Sequence, residues 1–376
     1  MKYLLIYLQI VLAVLLSSCH SQTNRLQEEG DIVCFRYAEY ITVVRHQDYT
    51  EVTLANPWKP NKMLHRYLLV PKGKKAESLP DGTIVRVPLQ RAIVFTTVHC
   101  SLLQMLHQEN SVAGVADLKY IKLPFIHEQV KKGRIIDCGD SMSPAIEKMI
   151  DLRPDAIFLS PFENNGGYGK VDEIDVPVIE CADYMERAPL ARAEWMRFYG
   201  MLFGCEREAD SLFAVVDSSY QALRVLAKSV DTKAPQSVLI DKMMGSVWYV
   251  PGGQSTIGQM LRDANCRYPW SGDNHSGSVS QSFESVLEEA GECDVWLFRF
   301  SNDHLISYDE LLNEHHGYSQ FHAFQQRRVY GCNVQLSQFY EESPFRPDWL
   351  LTDFIKIVHP EISGLPELRY YQRIKE

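Results

Sequence analysis

The hydrophobic and polar positions divide this chain into regions with different periods. Between residues 31 and 90, apolar residues recur at every second position in short runs, such as residues 41–44 and 83–87. Turn signals such as Asn56-Pro57 separate these runs. Period two interrupted by turns is typical of β-strands. We therefore expect residues 31–90 to form a small β-rich N-terminal extension.

Residues 91–204 alternate short apolar strands with helices whose apolar positions follow a 3.6-residue period. The predicted elements are strands at residues 92–96, 112–115, 156–159 and 176–180, and helices at residues 99–107, 143–152 and 191–203. Ser143 is the expected N-cap of the second helix, with Pro144 at its first position. This alternation predicts a parallel sheet covered by helices, which we interpret as an N-terminal lobe.

A longer helix is predicted over residues 205–232. Apolar residues such as Ala209, Phe213 and Val216 keep to one of its faces, and charged residues occupy the others. At ~1.5 Å per residue the helix would be about 40 Å long, which exceeds a typical globular helix. We interpret it as one rigid rod that joins two α/β lobes, and a cleft between lobes suggests ligand binding.

Residues 233–376 resume the alternation and form the predicted C-terminal lobe. The expected elements are strands at residues 237–241 and 295–298, and helices at residues 257–264, 280–290 and 347–358. This lobe repeats part of the first one. Ser143 and Ser280 are each followed four residues later by a glutamate, and then by an aspartate that opens an apolar strand. An internal repeat of this kind fits two lobes of similar topology.

The repeat makes Glu147 and Glu284 equivalent, each in or just past the first turn of a predicted helix. In one interpretation each carboxylate only complements the helix dipole, which contributes at most about 1 kcal/mol. In the other, the two acids are an exposed pair, one per lobe, that docks onto basic residues of a partner. The residue pattern by itself leaves both interpretations open.

The first 19 residues have the pattern of an export signal. Lys2 precedes an apolar segment at residues 4–16, which is too short to span a membrane comfortably. Leu16-Ser17-Ser18-Cys19 then resembles the lipobox of bacterial lipoproteins, which implies cleavage before Cys19 and lipid attached to it. In a plain secretory signal Cys19 would be incidental. We expect a periplasmic protein, lipid-anchored to a bacterial membrane through Cys19 and a tether at residues 20–30.

The composition narrows the possible activities. The 376 residues are enough for two domains with buried cores, and the net charge of −10 argues against nucleic acid as a partner. The sequence contains no P-loop, HExxH or GxSxG motif, so it indicates no enzyme class. The cysteines form no CxxC motif and predict no metal site, and their pairing stays open.

Several segments together resemble the substrate-binding proteins of ABC importers for ferric siderophores, haem and vitamin B12. They are residues 91–95, 114–117, 143–147 and 152–155, followed by the long helix and the repeated glutamate. The resemblance covers about residues 90–358 and implies an α/β fold of two lobes, each a mostly parallel sheet wrapped by helices. It also implies that Glu147 and Glu284 pair with arginines of the permease. The extension and the Gly/Ser-rich residues 271–280 depart from the family.

Aromatic residues on predicted loops are the candidates for ligand binding. We select Tyr168, Trp248, Tyr249 and Trp270, together with Arg299 after a predicted strand. Flat rings suit a large planar or hydrophobic chelate, and a guanidinium can meet its carboxylates. Each aromatic residue taken singly is more often part of a core, but the group as a whole favours a site.

We therefore predict a binding protein without catalytic residues or a resident cofactor. It would capture a ferric siderophore, cobalamin or haem in the cleft and deliver it to an ABC permease dimer with its ATPase. One alternative is a tetrapyrrole chelatase or cofactor chaperone, for which His99 would face the metal, although a capping or packing role for His99 competes with this. Another is a surface lipoprotein that feeds an outer-membrane transporter.

Overall fold

The computed structural model describes residues 30–75, 79–164, 166–230 and 235–376. The predicted export signal, Cys19 and all but the last residue of the predicted tether lie outside these ranges. Within them, no helix is both long enough and apolar enough to cross a membrane.

Five strands form the N-terminal extension, and they neighbour one another in chain order. They are β1 (Asp31–Val33), β2 (Ile41–Arg45), β3 (Thr50–Ala55), β4 (Met63–Pro71) and β5 (Thr83–Val87). Neighbouring strands are antiparallel except β4 and β5, which run parallel. The β-rich character predicted for this region is confirmed.

The extension is joined to the body by a shared core and by two buried carboxylates, Glu186 and Glu194. Glu186 accepts hydrogen bonds of 3.0–3.1 Å from the backbone N–H groups of residues 39 and 40. Val43, Val52 and Tyr67 on its sheet are completely buried and belong to the same apolar cluster as the N-terminal lobe. Glu194 accepts hydrogen bonds of 2.7–3.0 Å from the backbone N–H groups of residues 36–38. These contacts make the extension an integral part of the fold.

The N-terminal lobe contains a five-stranded parallel sheet. Its elements are β6 (Ala92–Val94), α1 (Thr97–Met105), β7 (Val112–Val115), α2 (Pro124–Lys131), β8 (Ile136–Asp137), β9 (Gly139–Asp140), β10 (Ser143–Pro144), α3 (Ile146–Asp151), β11 (Ala156–Leu159) and β12 (Val178–Glu180). The sheet order is β12-β11-β6-β7-β8, and β9 and β10 form a separate antiparallel pair. The predicted parallel sheet is confirmed, and β7 and β11 have the predicted bounds.

Three helices connect the lobes: α4 (Pro189–Glu194), α5 (Met196–Phe203) and α6 (Glu206–Ser229). The single helix predicted at residues 191–203 is thus two helices. The backbone N–H of Trp195 bonds the carbonyl of Arg192, three residues earlier, and this tighter turn separates them. Gly204 ends α5 at a φ of 69°, a left-handed conformation that suits glycine. The long predicted helix is confirmed as α6.

The C-terminal lobe has a four-stranded sheet and a smaller three-stranded one. Its elements are β13 (Val238–Ile240), β14 (Met243–Met244), β15 (Val247–Pro251), α7 (Thr256–Asp263), β16 (Ser278–Gln281), α8 (Phe283–Ala290), β17 (Val295–Phe300), α9 (Tyr308–Glu314), α10 (His322–Gln325), β18 (Val329–Asn333), α11 (Phe339–Glu342), α12 (Pro347–Val358) and β19 (Tyr371–Arg373). In the larger sheet, ordered β13-β17-β18-β19, the first three strands are parallel and β19 is antiparallel. The smaller sheet is β14-β15-β16.

The repeated serines do not cap helices, which corrects the prediction for Ser143 and Ser280. Each lies in a short antiparallel strand, β10 or β16, and the helix α3 or α8 begins three residues later. Because strand pairing keeps the backbone of both serines extended, the N-cap of each helix lies at a later residue, after the strand. In the C-terminal lobe the cap is Ser282, whose hydroxyl accepts a 3.1 Å hydrogen bond from the N–H of Ser285. The repeat itself survives, because the offset from serine to helix is the same in both lobes.

The lobes touch each other beside the long helix. Glu341 of α11 is buried, and its carboxylate accepts hydrogen bonds from the hydroxyl of Thr97 and from the N–H of Lys122, both at 3.2 Å. Helix α11 therefore packs on α1 of the other lobe, while α12 packs along α6. These contacts close one side of the space between the lobes.

Candidate ligand-binding cleft

The carboxyl ends of the parallel strands define the candidate site. In the N-terminal lobe β6, β7, β11 and β12 run parallel, and in the C-terminal lobe β13, β17 and β18 do. Because parallel strands of one sheet end at the same edge, the loops after them collect there. Ligands of open α/β sheets bind outside this edge.

Exposed apolar side chains cluster in these loops. In the N-terminal lobe they are Tyr120, Met142, Phe162 and Tyr184, and in the C-terminal lobe Met244, Tyr249, Leu336 and Tyr340. Met142 is 84% exposed and Met244 is 68% exposed, which is costly for methionine unless something covers it. Apolar surface concentrated in this way marks a binding region.

Arg299 lies in a pocket of about 380 Å³ at the carboxyl edge of the C-terminal sheet, next to Lys242, Tyr249 and Tyr340. Its Nε and Nη2 donate to the two carboxylate oxygens of Asp241 at 3.0 and 2.5 Å. Burial alone would lower the pKa of Arg299, but the hydrogen bonds and the charge of Asp241 outweigh it, and the pKa is raised. Arg299 is thus a fixed positive charge at the cleft.

A second pocket, of about 180 Å³, adjoins the first and lies between α4 and the C-terminal lobe. It is lined by Arg192 on one side and by Arg299 and Tyr340 on the other. Arg192 donates through Nε to the carboxylate of Asp183 at 3.1 Å, and Asp183 is completely buried. Two guanidinium groups from opposite sides of one pocket can bind a ligand that carries anionic oxygens.

The carboxylate of Asp183 stays ionised in spite of its burial. Burial by itself raises its pKa, but the charge and hydrogen bond of His99, the charge of Arg192 and the hydroxyl of Tyr199 lower the pKa to about 2. Nε2 of His99 lies 2.9 Å from both the Asp183 carboxylate and the Tyr199 hydroxyl. Through Asp183, this buried network positions Arg192 from the side of the protein interior.

His99 belongs to that buried network and does not face the cleft. It is only 2% exposed, and its Nδ1 lies within hydrogen-bond distance of the Thr96 hydroxyl. The packing interpretation of His99 is therefore the one that the structure supports. Within the described residues, no group of three or more His, Cys, Asp or Glu side chains could hold a metal ion. The chelatase alternative thus loses the residue on which it depended.

The prediction that Trp248 contacts ligand is corrected. Trp248 is completely buried, donates from its indole Nε1 to the carbonyl of Ile240 at 3.0 Å, and packs 5.8 Å from the ring of Trp296. Its neighbour Tyr249 is 41% exposed and lines the Arg299 pocket. Both lie on β15, where successive side chains point to opposite faces, so only one of the two reaches the cleft.

Trp270 and Tyr168 also lie away from the Arg299 pocket. The residues flanking Trp270 line a pocket of about 700 Å³ that includes Ser237, just before β13, so that pocket lies at the opposite edge of the sheet. The ring of Trp270 packs 5.6 Å from that of Tyr268. Tyr168 donates its hydroxyl to Glu180 at 2.7 Å and lines a separate pocket. Of the predicted ligand residues, the structure brings together Tyr249 and Arg299.

Sequence reasoning missed Arg192 and Asp241 as parts of this site. Asp241 directly follows the strand β13, and a charged residue at the carboxyl end of a buried strand was a usable signal. Arg192 lies in a segment whose pattern indicated only a helix. No local feature connects it to a residue on the distant strand β17.

The repeated glutamates occupy equivalent positions. Glu147 is the second residue of α3 and Glu284 the second residue of α8, and both side chains are exposed. Among the residues that the structure describes, neither carboxylate has an ion-pair partner. Both are therefore accessible from outside.

The family model described as periplasmic binding protein matches residues 94–336 of this chain. An uncharacterized lipoprotein of Methanocaldococcus jannaschii is 26% identical, and the match covers 90% of this chain and 85% of the relative. Because residues 91–376 make up only about three quarters of the chain, a match over 90% of it includes part of the N-terminal extension.

Two solved structures share the fold. A possible iron-binding, periplasmic solute-binding protein from Staphylococcus epidermidis has a TM-score of 0.57 at 19% identity, covering 72% of this chain and 99% of that protein. A periplasmic heme binding protein from Pseudomonas aeruginosa has a TM-score of 0.57 at 16% identity, covering 77% of this chain and 99% of that protein. At such identities the likeness shows the fold, and it agrees with the two-lobe α/β architecture.

Proposed function

The chain belongs to the periplasmic binding protein family, and on that premise we propose that it is the substrate-binding lipoprotein of an ABC importer and captures a metal chelate. The observation that carries the proposal is the combination of exposed aromatic and aliphatic side chains on the loops of both lobes with two guanidinium groups between them. A chelate offers an extended organic shell to the first and anionic oxygens to the second.

The two guanidinium groups of the cleft favour a chelate with anionic oxygens. Arg192 and Arg299 line one pocket, and each is held by a carboxylate that is itself buried or half-buried. A ferric siderophore with several anionic donor groups, or haem with its two propionates, matches this pair better than cobalamin does. Among the described residues, no group of three or more His, Cys, Asp or Glu side chains could hold a metal ion, and we propose that recognition rests on the organic shell.

Delivery to the permease would use the two glutamates. Glu147 and Glu284 are exposed, equivalent in the repeat and without a described ion-pair partner. Exposed carboxylates of this kind can pair with arginines of a partner. A lipid at Cys19 would hold the protein at a membrane surface. Support for the anchor comes from the lipobox-like residues 16–19 and from the relative that is itself named a lipoprotein.

The test is a fluorescence titration of the mature protein with ferric enterobactin, ferrioxamine B, haem and cobalamin. Ferric enterobactin is strongly anionic, and haem is anionic through its propionates. Ferrioxamine B is cationic, and cobalamin has no free carboxylates. Saturable quenching at submicromolar concentration by ferric enterobactin or haem, with weaker or no quenching by ferrioxamine B and cobalamin, is the expected result. The absence of saturable binding by all four probes would refute the proposed function.

A further inference from the structure

Another pocket, distinct from those of the cleft, lies where the extension meets the N-terminal lobe, and we call it the side pocket. Its volume is about 160 Å³. The loop between β3 and β4 contributes Trp58, and the segments at the ends of β11 and β12 contribute Phe162, Tyr168 and Glu180. Glu180 is the last residue of β12, so the side pocket lies at the same sheet edge as the cleft. The family match begins at residue 94, and the extension half of this pocket lies outside it.

The walls of the side pocket are rings and aliphatic groups. Trp58, Phe162 and Tyr168 contribute aromatic side chains, and Leu64 and Pro161 complete the apolar lining. Phe162 is 55% exposed although it belongs to the lining. Aromatic groups that surround a small space bind flat apolar groups by stacked and edge-to-face contacts, each contributing about 0.5–1.5 kcal/mol beyond burial.

One buried carboxylate gives the side pocket its polar specificity. Glu180 is only 9% exposed, and its Oε1 accepts the hydroxyl of Tyr168 at 2.7 Å. Its Oε2 is itself buried, lies 3.3 Å from Nδ1 of His65 and makes no hydrogen bond with any described residue. Since a carboxylate has about four lone-pair sites, Glu180 retains the capacity to accept further hydrogen bonds.

We propose that the side pocket binds a hydroxyaryl group, whose ring packs against Trp58 and Phe162 and whose hydroxyl donates to Glu180. A flat ring can pack against the aromatic walls, and a neutral hydroxyl can donate a hydrogen bond to the carboxylate. A cationic group fits less well, because Lys59 is exposed at the rim and His65 lies next to the carboxylate. The hydroxyaryl group could be an arm of the chelate or a separate small molecule. Only the possibility that the group is an arm of the chelate rests on the proposed function; the rest of the inference does not.

The experiment uses the mature protein labelled with 5-fluorotryptophan and observed by 19F NMR. The resonance that disappears in Trp58→Phe is assigned to Trp58. Phenol at millimolar concentration is expected to shift this resonance saturably, whereas toluene, which lacks the donor, and cyclohexanol, which lacks the flat ring, shift it at least five-fold more weakly. Equal responses to phenol and cyclohexanol, or no response to phenol, would overturn the proposal.

Two variants separate binding from folding. Phe162→Ala removes an exposed ring and is expected to keep the melting temperature while weakening phenol binding about five-fold. Glu180→Gln is expected to weaken phenol about five- to ten-fold and leave toluene unchanged, because the amide oxygen still accepts but a neutral hydrogen bond is weaker than one to a carboxylate. Ile32→Ala, a 76% exposed position on β1 of the same extension, is the matched control and should change nothing. Unchanged phenol affinity in Phe162→Ala and Glu180→Gln alike would contradict the assignment.

The source of the group is decided by competition. A chelate that binds in the cleft and displaces phenol from the Trp58 resonance carries the hydroxyaryl arm itself. A chelate that binds without displacing phenol shows that the side pocket takes a separate molecule. Binding of phenol when none of the four chelates binds supports the side pocket and counts only against the proposed importer function.

Discussion

The two lobes share a strand–helix–strand repeat, but they hold their cleft arginines in different ways. Arg299 lies on β17 and Asp241 directly follows the neighbouring strand β13, and two parallel hydrogen bonds between them lock the guanidinium. Arg192 lies on the six-residue helix α4 and makes one hydrogen bond to Asp183. A guanidinium held by two hydrogen bonds loses little further conformational freedom when it binds a ligand. A guanidinium held by one hydrogen bond can still change its orientation to follow the ligand. The C-terminal lobe thus presents a fixed anion site, and the other side an adjustable one.

The largest expected effect comes from Glu147 and Glu284, the two positions at which the repeat predicts the same docking role in both lobes. Reversing both charges, Glu147→Arg with Glu284→Arg, is expected to abolish uptake in cells while the affinity for ligand stays within two-fold, because both residues lie on the outer surface. The matched control is Asp151→Arg with Glu288→Arg, two exposed acids on the same helices. Uptake that survives the first double change would exclude a docking role.

The fixed arginine should matter most for ligand affinity. Arg299→Ala is expected to raise the dissociation constant of an anionic chelate about 10- to 100-fold, since charge-assisted hydrogen bonds contribute about 1.5–3 kcal/mol. Arg299→Lys should recover little of this, because an ammonium group cannot make two parallel bonds to Asp241. Isothermal titration of both variants measures the difference. Full rescue by lysine would mean that charge alone is required.

The adjustable arginine should contribute less. Arg192→Ala is expected to weaken the same chelate by about three- to ten-fold, and Arg192→Lys to restore most of the affinity, because the position is held by a single hydrogen bond. The same titration applies, and the ratio of the two alanine effects is the informative quantity. If Arg192→Ala costs more than Arg299→Ala, the assignment of fixed and adjustable sides is reversed.

Asp183 provides a test of stability, separate from ligand affinity, and of its dependence on pH. Its pKa falls from about 3.8 to about 2 in the folded protein, so its ionisation stabilises the fold by about 2–3 kcal/mol above pH 4. That contribution declines as the pH falls from about 4 towards 2. Asp183→Asn should therefore lower the free energy of unfolding by about 2 kcal/mol at pH 7 and by progressively less below pH 4. Urea unfolding from pH 3 to pH 7 measures this, with Asp175→Asn at an exposed position as control.

The elements were largely predictable, and the side chains of the site were not. Strand β11 and helix α12 have the predicted bounds, because apolar period and proline position are local signals. Trp248 and Tyr249 show the limit. Both occur on a predicted loop in the sequence, but pairing of β15 with β16 makes that segment a strand and sends their rings to opposite faces. The choice of which ring faces the cleft depends on register, which one sequence does not reveal.

By itself, the sequence determined the two α/β lobes, the long helix between them, the repeat that pairs Glu147 with Glu284, and the family. The lobes, the helix and the repeat follow from hydrophobic periods and from spacing along the chain, whereas the family follows from the resemblance of several segments to its members. Only the tertiary structure decided that Arg192 shares a pocket with Arg299, that His99 is buried behind it, and that Trp58 of the extension lines the same pocket as Phe162. The physical reason is that these contacts join residues far apart in the chain. Packing, rather than any local preference of the backbone, sets their distances.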